Sequence, residues 1–587
     1  MIRRVFDWLE DRTGARKLAH SFLYQNIPGG ARWRYVWGNA FLFALFLQAV
    51  TGVTMWFGYS PGAHSAWESV YYIQMHVHAG WFVRGLHHFN AQLLTVLLAA
   101  RLAQIIVDGT YRAPREINFW ICLLMLFVVL AASVTGWLLP WDQKGYWETK
   151  VATNILSITP IVGPALRRIA VGGSEFGHLT LTRFFALHAG VIPASLLALI
   201  VIHIYLFRRH GYAWRPPLRK PAAWWWPDQA LRDATACFAL ICVLLALTLN
   251  HHGAQLAPPA DPTDNYSAAR PEWFFLPLYQ FLKLFPGGTE VIGAIVIPGL
   301  FFTLIALMPF IARRRFGQIF NVATLVAAIL VAAGLIVKAI SADRYDPQFI
   351  AAKRQLQIDS VRIKVLARAQ GIPPTGALTL LQNDPLTQGP RLFAKYCASC
   401  HRFDGQNGMG LPASDKQSAS DLKDFGTRAW LAGLLDPARV TNINYFGGTT
   451  HTNGKMAKFV RTKVAAFTPE QKADLANVIM AVSAEAQLPG QRDIDERDVA
   501  AIKQGAALIP GAMRCGDCHP FHDTVDNATA PELTGWASRD WLISFIGNPK
   551  QDRFYADRND RMPGFADEHI LDAQQITMLA DWLRGAK

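Results

Sequence analysis

Charge is scarce in this sequence: Asp, Glu, Lys and Arg make up 17% of 587 residues, whereas 51% are hydrophobic. That balance points to a membrane protein carrying soluble parts, in several domains. Nucleotide and molybdenum-cofactor signatures are absent, which leaves a substrate dehydrogenase without support. The start is charged and amphipathic and lacks an apolar h-region with a cleavage site, so no cleavable signal peptide is expected. Past residue 345 no run is apolar enough to cross a bilayer, and a soluble region of roughly 240 residues follows.

What is present begins with seven apolar runs of spanning length, at about 34–58, 80–107, 117–138, 184–208, 230–250, 290–311 and 318–340. Basic clusters sit at the N-terminus (Arg3, Arg4, Arg12, Arg16, Lys17), after the second run (Arg112, Arg115), after the fourth (Arg208, Arg209, Arg215, Arg219, Lys220) and after the sixth (Arg313, Arg314, Arg315). The loop after the first run has no Lys or Arg, although the loop between the third and fourth carries Arg167 and Arg168. Positive residues mark the cytoplasmic side, so seven spans starting inside place the C-terminal region in the periplasm of a bacterial inner membrane. The net charge of +14 is read as these loops plus ordinary surface, not as affinity for nucleic acid.

Seven cysteines occur, of which Cys122, Cys237 and Cys242 lie in spans. The other four form two C-x-x-C-H motifs: Cys397, Cys400 and His401, then Cys515, Cys518 and His519. This is the pattern of covalent haem c attachment, in which two thiols form thioethers and the histidine binds iron; a redox dithiol or half a zinc site is the alternative. Met562 in RMPGF and Met456 in GKMAKF are the expected second ligands, with Met409 and His451 as rivals for the first haem. FGTRAWLAGLLDPARV and WASRDWLISFIGNPKQ precede the two methionines, so one small helical fold is duplicated. With all four non-membrane cysteines used for haem, no iron–sulfur motif remains.

In the membrane region, His87 and Arg101 are fourteen residues apart on the second span, and His188 and His203 fifteen apart on the fourth. Either spacing puts both side chains near one helix face, roughly 21 Å apart in depth. An unpaired imidazole in lipid is costly, so two helices offering histidines at matching depths can hold stacked haems; core histidines bonded to carbonyls are the alternative.

GWFVRGLHHF, TGWLLPWDQKGYW, TLTRFFALHAGVIP with His203, and ARPEWFFLPLYQFLK resemble cytochrome b of the quinol:cytochrome c oxidoreductases, over about residues 20–342. The fifteen-residue spacing is more similar to the chloroplast and cyanobacterial form, here fused to its three-helix subunit IV. The resemblance implies that His87 and His188 ligate the periplasmic-side b haem, packed by Gly52 and Gly136, and that Arg84 neutralises a propionate. It implies that Pro271, Glu272, Trp273 and Phe274 line a quinol oxidation site, with Glu272 carrying a proton; Phe274 replaces the family's tyrosine. A separate Rieske iron–sulfur subunit, a periplasmic electron acceptor and a homodimer in a larger complex are the implied partners.

Two departures fall at the cytoplasmic-side haem. Arg101 stands where the family has a ligand, leaving His203 without its partner, and a guanidinium has no lone pair for iron. Gly38 remains, but its counterpart on the third span is Cys122. That haem is expected to be missing, a five-coordinate haem on His203 being the alternative. Arg101 then needs a lipid phosphate, a haem propionate or a quinone carbonyl, or it snorkels to the surface.

The expected fold is all-α: a four-helix haem domain (1–215), a three-helix domain with PEWF (216–345), a linker (346–375) and two cytochrome c domains (376–487 and 488–587). The expected function is quinol oxidation, with electrons passed through b and c haems to periplasmic acceptors. A membrane anchor and relay with a vestigial quinone site, or reversed flow from c haem to quinone, is the alternative.

Overall fold

The computed structural model describes residues 2–212, 221–414, 418–522, 529–559 and 561–585. Arg215, Arg219 and Lys220, and with them the boundary at 215, lie outside the described residues. The chain divides into two compact units, Met1–Asp346 with Pro374–Ala377, and Pro347–Pro373 with Leu378–Lys587.

In the first unit, seven helices are long and apolar enough to cross a membrane. Lipid offers backbone groups no partner, so apolar runs of this length close their hydrogen bonds internally as helices. They are α1 (Val36–Trp56), α2 (Gly80–Asp108), α3 (Glu116–Trp137), α5 (His178–His210), α6 (Ala230–Asn250), α7 (Gly287–Ile311) and α8 (Gly317–Tyr345). A surface helix, α4 (Gln143–Ser157), follows α3. Strand is confined, among the described residues, to the antiparallel pair Asn26–Ile27 and Ala223–Trp224. α1 packs on α2, and α3 on α2 and α5, around a core that includes Phe41, Leu98, Phe119, Met125 and Leu196.

Two helices depart from the expected limits for local reasons. α8 runs five residues beyond 340, where Asp343 meets Arg270 at 2.9 Å and fixes the PEWF loop to it. α5 carries a π-turn at Leu187–Val191, with His188 inside it. Pro193 lacks the N–H that would serve the carbonyl four residues back, and the wider turn absorbs the mismatch.

Among the described residues, the regular elements of the second unit are all helices, joined by loops. The stretch 346–375, expected as a linker, carries α9 (Pro347–Gln370), because two buried carboxylates bind it down: Asp359 to Arg391 and Asp384 to Arg362, each at 2.7 Å. The two haem motifs follow α10 (Pro385–Tyr396) and α13 (Val499–Leu508); each copy continues through a short helix, α11 (Arg428–Leu434) or α14 (Arg539–Gly547), and closes with α12 (Pro469–Glu485) or α15 (Ala573–Leu583). The pairing of these helices is exchanged between copies. α10 lies along α15 and α12 along α13, so the first helix of one copy meets the last helix of the other. Gly389 permits the first crossing, where a Cβ would run into Trp582, and Gly505 the second, where it would run into the backbone of Asn477. One core, containing Phe393, Val478, Trp541 and Leu579, serves both copies.

Candidate haem and quinol sites

His87 on α2 and His188 on α5 face each other with ring centres 6.3 Å apart. Two metal–nitrogen bonds of about 2 Å and two ring radii of a little over 1 Å fill that separation. Each ring is oriented by a threonine beside a glycine. Thr51 Oγ1 gives its proton to the carbonyls of Leu47 (2.8 Å) and Gln48 (3.1 Å), so it accepts from His87 Nδ1 at 3.0 Å. His188 Nδ1 donates to the Ala132 carbonyl at 3.0 Å, with Thr135 Oγ1 at 3.3 Å. Both Nε2 lone pairs are left for a metal, with the ring held by its other nitrogen. A Cβ on Gly52 would stand 3.1 Å from His87 Cε1, and one on Gly136 2.7 Å from His188 Cε1. The residues present therefore fit a bis-histidine haem. The threonines were missed in the sequence, although the repeated Thr-Gly pairs at 51–52 and 135–136 signal them.

Arg84 donates to the carbonyls of Ala254 (2.8 Å) and Gln255 (2.9 Å) and to Gln74. It thus ties α2 to the segment after α6.

At the other depth the same helices offer Arg101 and His203, within electrostatic reach of each other. Arg101 Nη1 donates to Gln104 at 2.8 Å, and Gln104 donates to the Arg34 carbonyl at 2.7 Å; Arg34 pairs with Asp108. The partner of Arg101 is thus a neighbour one turn along, toward the helix end. Among the described residues, the buried His203 Nδ1 has no hydrogen-bond partner. Gly38 follows Trp37 and the buried Cys122 follows Ile121, so no threonine precedes either. These residues do not fit a bis-histidine haem.

In the second unit, His401 Nδ1 donates to the Ser420 carbonyl at 2.9 Å and His519 Nδ1 to the Pro531 carbonyl at 2.7 Å. Burial lowers both imidazoles from their ordinary range, leaving neutral rings with Nε2 available. Burial, with Cys400 beside it, pushes the Cys397 thiol up to about 12, and burial pushes Cys515 up to about 11. Such thiols are poor redox dithiols. Among the described residues no three His, Cys, Asp or Glu side chains converge as a metal-binding group, as a zinc site would need. Met562 packs against the shared core, and Met456 packs with Val440, Val460 and Val464. Of the rivals, Met409 sits in a turn closed by Asn407, and the His451 ring stacks against Tyr555.

The PEWF segment folds back over α2 and α4. Pro271 follows the anchored Arg270; Glu272 Oε1 lies 3.3 Å from Lys144 Nζ on α4. Trp273 Nε1 donates to Gln92 at 3.2 Å, and Gln92 meets His88 at 3.1 Å. Phe274 lies among Trp137, Trp273 and Phe275. Buried Asp142 starts α4 by accepting from the N–H groups of Gly145 (2.8 Å) and Ala257 (3.1 Å). The WDQK run thereby places Lys144 against Glu272, a contact the sequence reading did not foresee.

Family comparisons agree with this arrangement. Residues 92–260 match the model for cytochrome b(N-terminal)/b6/petB, 259–358 that for cytochrome b(C-terminal)/b6/petD, and 386–483 that for cytochrome c. The menaquinol:cytochrome c reductase cytochrome b subunit of Geobacillus thermodenitrificans is 34% identical over 219 residues, covering 36% of this chain and 98% of that protein. The chain belongs to the cytochrome b/b6 family. Cytochrome b6 of Synechococcus elongatus is 31% identical over 210 residues (36% and 98%), and cytochrome b of Rhodobacter capsulatus 29% over 329 (53% and 74%). This is an integral membrane protein, a cytochrome b/b6-type subunit of a quinol:cytochrome c reductase-like complex with a c-type cytochrome region. The family domains imply haem b and haem c.

Proposed function

We propose that this cytochrome b/b6-type chain oxidises quinol beside Glu272 and passes electrons through one b haem and two c haems. The His87–His188 pair would hold the b haem; Cys397, Cys400, His401 and Met456 would hold the first c haem, and Cys515, Cys518, His519 and Met562 the second. These groups supply one-electron transfer when bound. The chain's own residues bind and deprotonate the substrate: Trp273 and Phe274 offer an aromatic wall, and the Glu272 carboxylate accepts a proton from a quinol hydroxyl. The observation that carries this reading is the iron-sized separation of the His87 and His188 rings in the same unit as the PEWF segment that carries Glu272.

The cytoplasmic-side b haem is absent in this reading, because Arg101 replaces a ligand. The basic loops face the cytoplasm and the c region the periplasm of a bacterial inner membrane, and a separate Rieske subunit takes the other electron within a dimeric complex. The test follows c-haem reduction by a short-chain quinol in the purified complex. Glu272→Gln is expected to slow it at least about 100-fold; an unchanged rate overturns quinol oxidation at this site.

A further inference from the structure

Glu272 is not the sole acid held by Lys144. On the same turn of α4, Glu148 Oε1 lies 3.8 Å from Lys144 Nζ, so one ammonium stands between two carboxyl groups. Their exposures differ: the side chain of Glu148 is 2% exposed, that of Glu272 15% and that of Lys144 47%. Among the described residues, none donates a hydrogen bond to Glu148 Oε1. Asp142 is already served by two backbone N–H groups, which leaves Lys144 to the two glutamates.

Charge counting decides what this cluster can be. With both glutamates ionised, one negative charge is left over, and an unpaired buried charge is strongly disfavoured. One proton shared between the two acids makes the group neutral. The surroundings agree. Burial, with Glu272 and Asp142, drives Glu148 well above the usual carboxylate range against the pull of Lys144. Burial works against the charge on Lys144, yet Glu148, Glu272 and Asp142 hold its ammonium above the ordinary range. Tyr266, which burial and Glu148 push up to about 12, stays a phenol. His88 on α2 is a further titratable neighbour of Glu272.

We propose that Glu148 is a proton-relay residue of the quinol site: it shares one proton with Glu272 around Lys144, and a proton arriving on Glu272 expels the one on Glu148. The inference rests on the quinol reading above. When a quinol O–H bond breaks, an O–H bond forms on Glu272 and Lys144 loses its anion. The ammonium then draws Glu148 to its ionised form; the O–H bond there breaks and the proton leaves to water reaching the half-exposed lysine. The accompanying electron goes to the one-electron acceptors named above. One proton enters and one leaves, so the buried charge does not change.

Two readouts on the full-length complex test this. In infrared difference spectra at neutral pH, without quinol, Glu148→Gln and Glu272→Gln should each remove the same carboxylic-acid carbonyl band, since either acid alone with Lys144 ionises. A band that survives Glu272→Gln overturns the shared proton. In c-haem reduction by quinol, Glu148→Gln leaves the Lys144 ammonium to Glu272 alone and removes the acid that shares its proton. The acid limb of the pH profile should move down by about one unit, and the neutral-pH rate should fall about tenfold; an unmoved limb overturns the relay. Glu148→Asp should restore both, and the b-haem spectrum reports that the variants fold. If c-haem reduction ignores Glu272→Gln while the band behaves as expected, the quinol reading fails and the shared proton stands.

Discussion

At one depth of the bundle α2 and α5 present His87 and His188, each ring held through Nδ1 and each beside a glycine. At the other depth the same two helices present Arg101, turned to Gln104, and His203, whose Nδ1 has no hydrogen-bond partner among the described residues. The backbone is shared, so the difference is made by side chains. A haem site needs four conditions at once: two neutral ligands, a partner that fixes each tautomer, small residues for the porphyrin face, and no fixed cation in the gap. The first depth meets them all. The second has Arg101 facing no second imidazole, no threonine before Gly38 or Cys122 and a cysteine in place of one glycine, which supports the proposed absence of a haem there.

The largest effect expected from this contrast is in haem content. His87→Ala or His188→Ala should abolish b-haem absorbance, while His203→Ala leaves it unchanged; a pyridine haemochrome assay should give b to c as 1:2 in the parent protein. A ratio of 2:2 would reverse the account of the second depth. The converse change comes next. Arg101→His with Cys122→Gly restores a ligand and a small residue, and should raise b-haem content toward two per chain; Arg101→His alone should do less, because the Cys122 side chain still occupies the porphyrin face.

Smaller changes separate the glycines. Gly136→Ala puts a methyl 2.7 Å from His188 Cε1, so the ring must move and most b haem should be lost. Gly52→Ala, at 3.1 Å, should cost less. At Gly38 an added Cβ meets nothing within 4 Å, and alanine there should be silent in the b-haem spectrum.

Much of this was legible in the sequence because each signal is local. Seven apolar runs give the spans, C-x-x-C-H marks a c-type cytochrome region, and the spacing of His87, Arg101, His188 and His203 gives the two depths. What was hidden depends on partners distant in sequence. The exchange of α10 and α12 between c copies could not be read, since duplicated helices carry near-equivalent crossing residues, such as Gly389 and Gly505, and either pairing satisfies the pattern. The helix over 347–370 looked like a linker because Asp359 and Asp384 find their arginines only in the fold. Lys144 and Glu148 lie outside the PEWF motif, and only the return of that loop onto α4 brings them to Glu272.

The finest test of the contrast lies with the threonines. Replacing Thr51 by Val keeps the shape and removes the hydroxyl that accepts from His87 Nδ1, so that N–H is left to the Gln48 carbonyl or to none. An imidazole that donates through Nδ1 is a more basic ligand and a pre-oriented one, and losing such an outer hydrogen bond typically weakens metal binding about 10-fold to 100-fold. Thr135→Val should have the milder effect, because His188 Nδ1 keeps the Ala132 carbonyl at 3.0 Å and the threonine contact is the longer, at 3.3 Å. Haem titration of the apoprotein should therefore rank the parent tightest, then Thr135→Val, then Thr51→Val. If the two valine variants bind haem as tightly as the parent, the lack of threonines at the second depth explains nothing, and the proposed absence of a haem there rests on Arg101 and Cys122 alone.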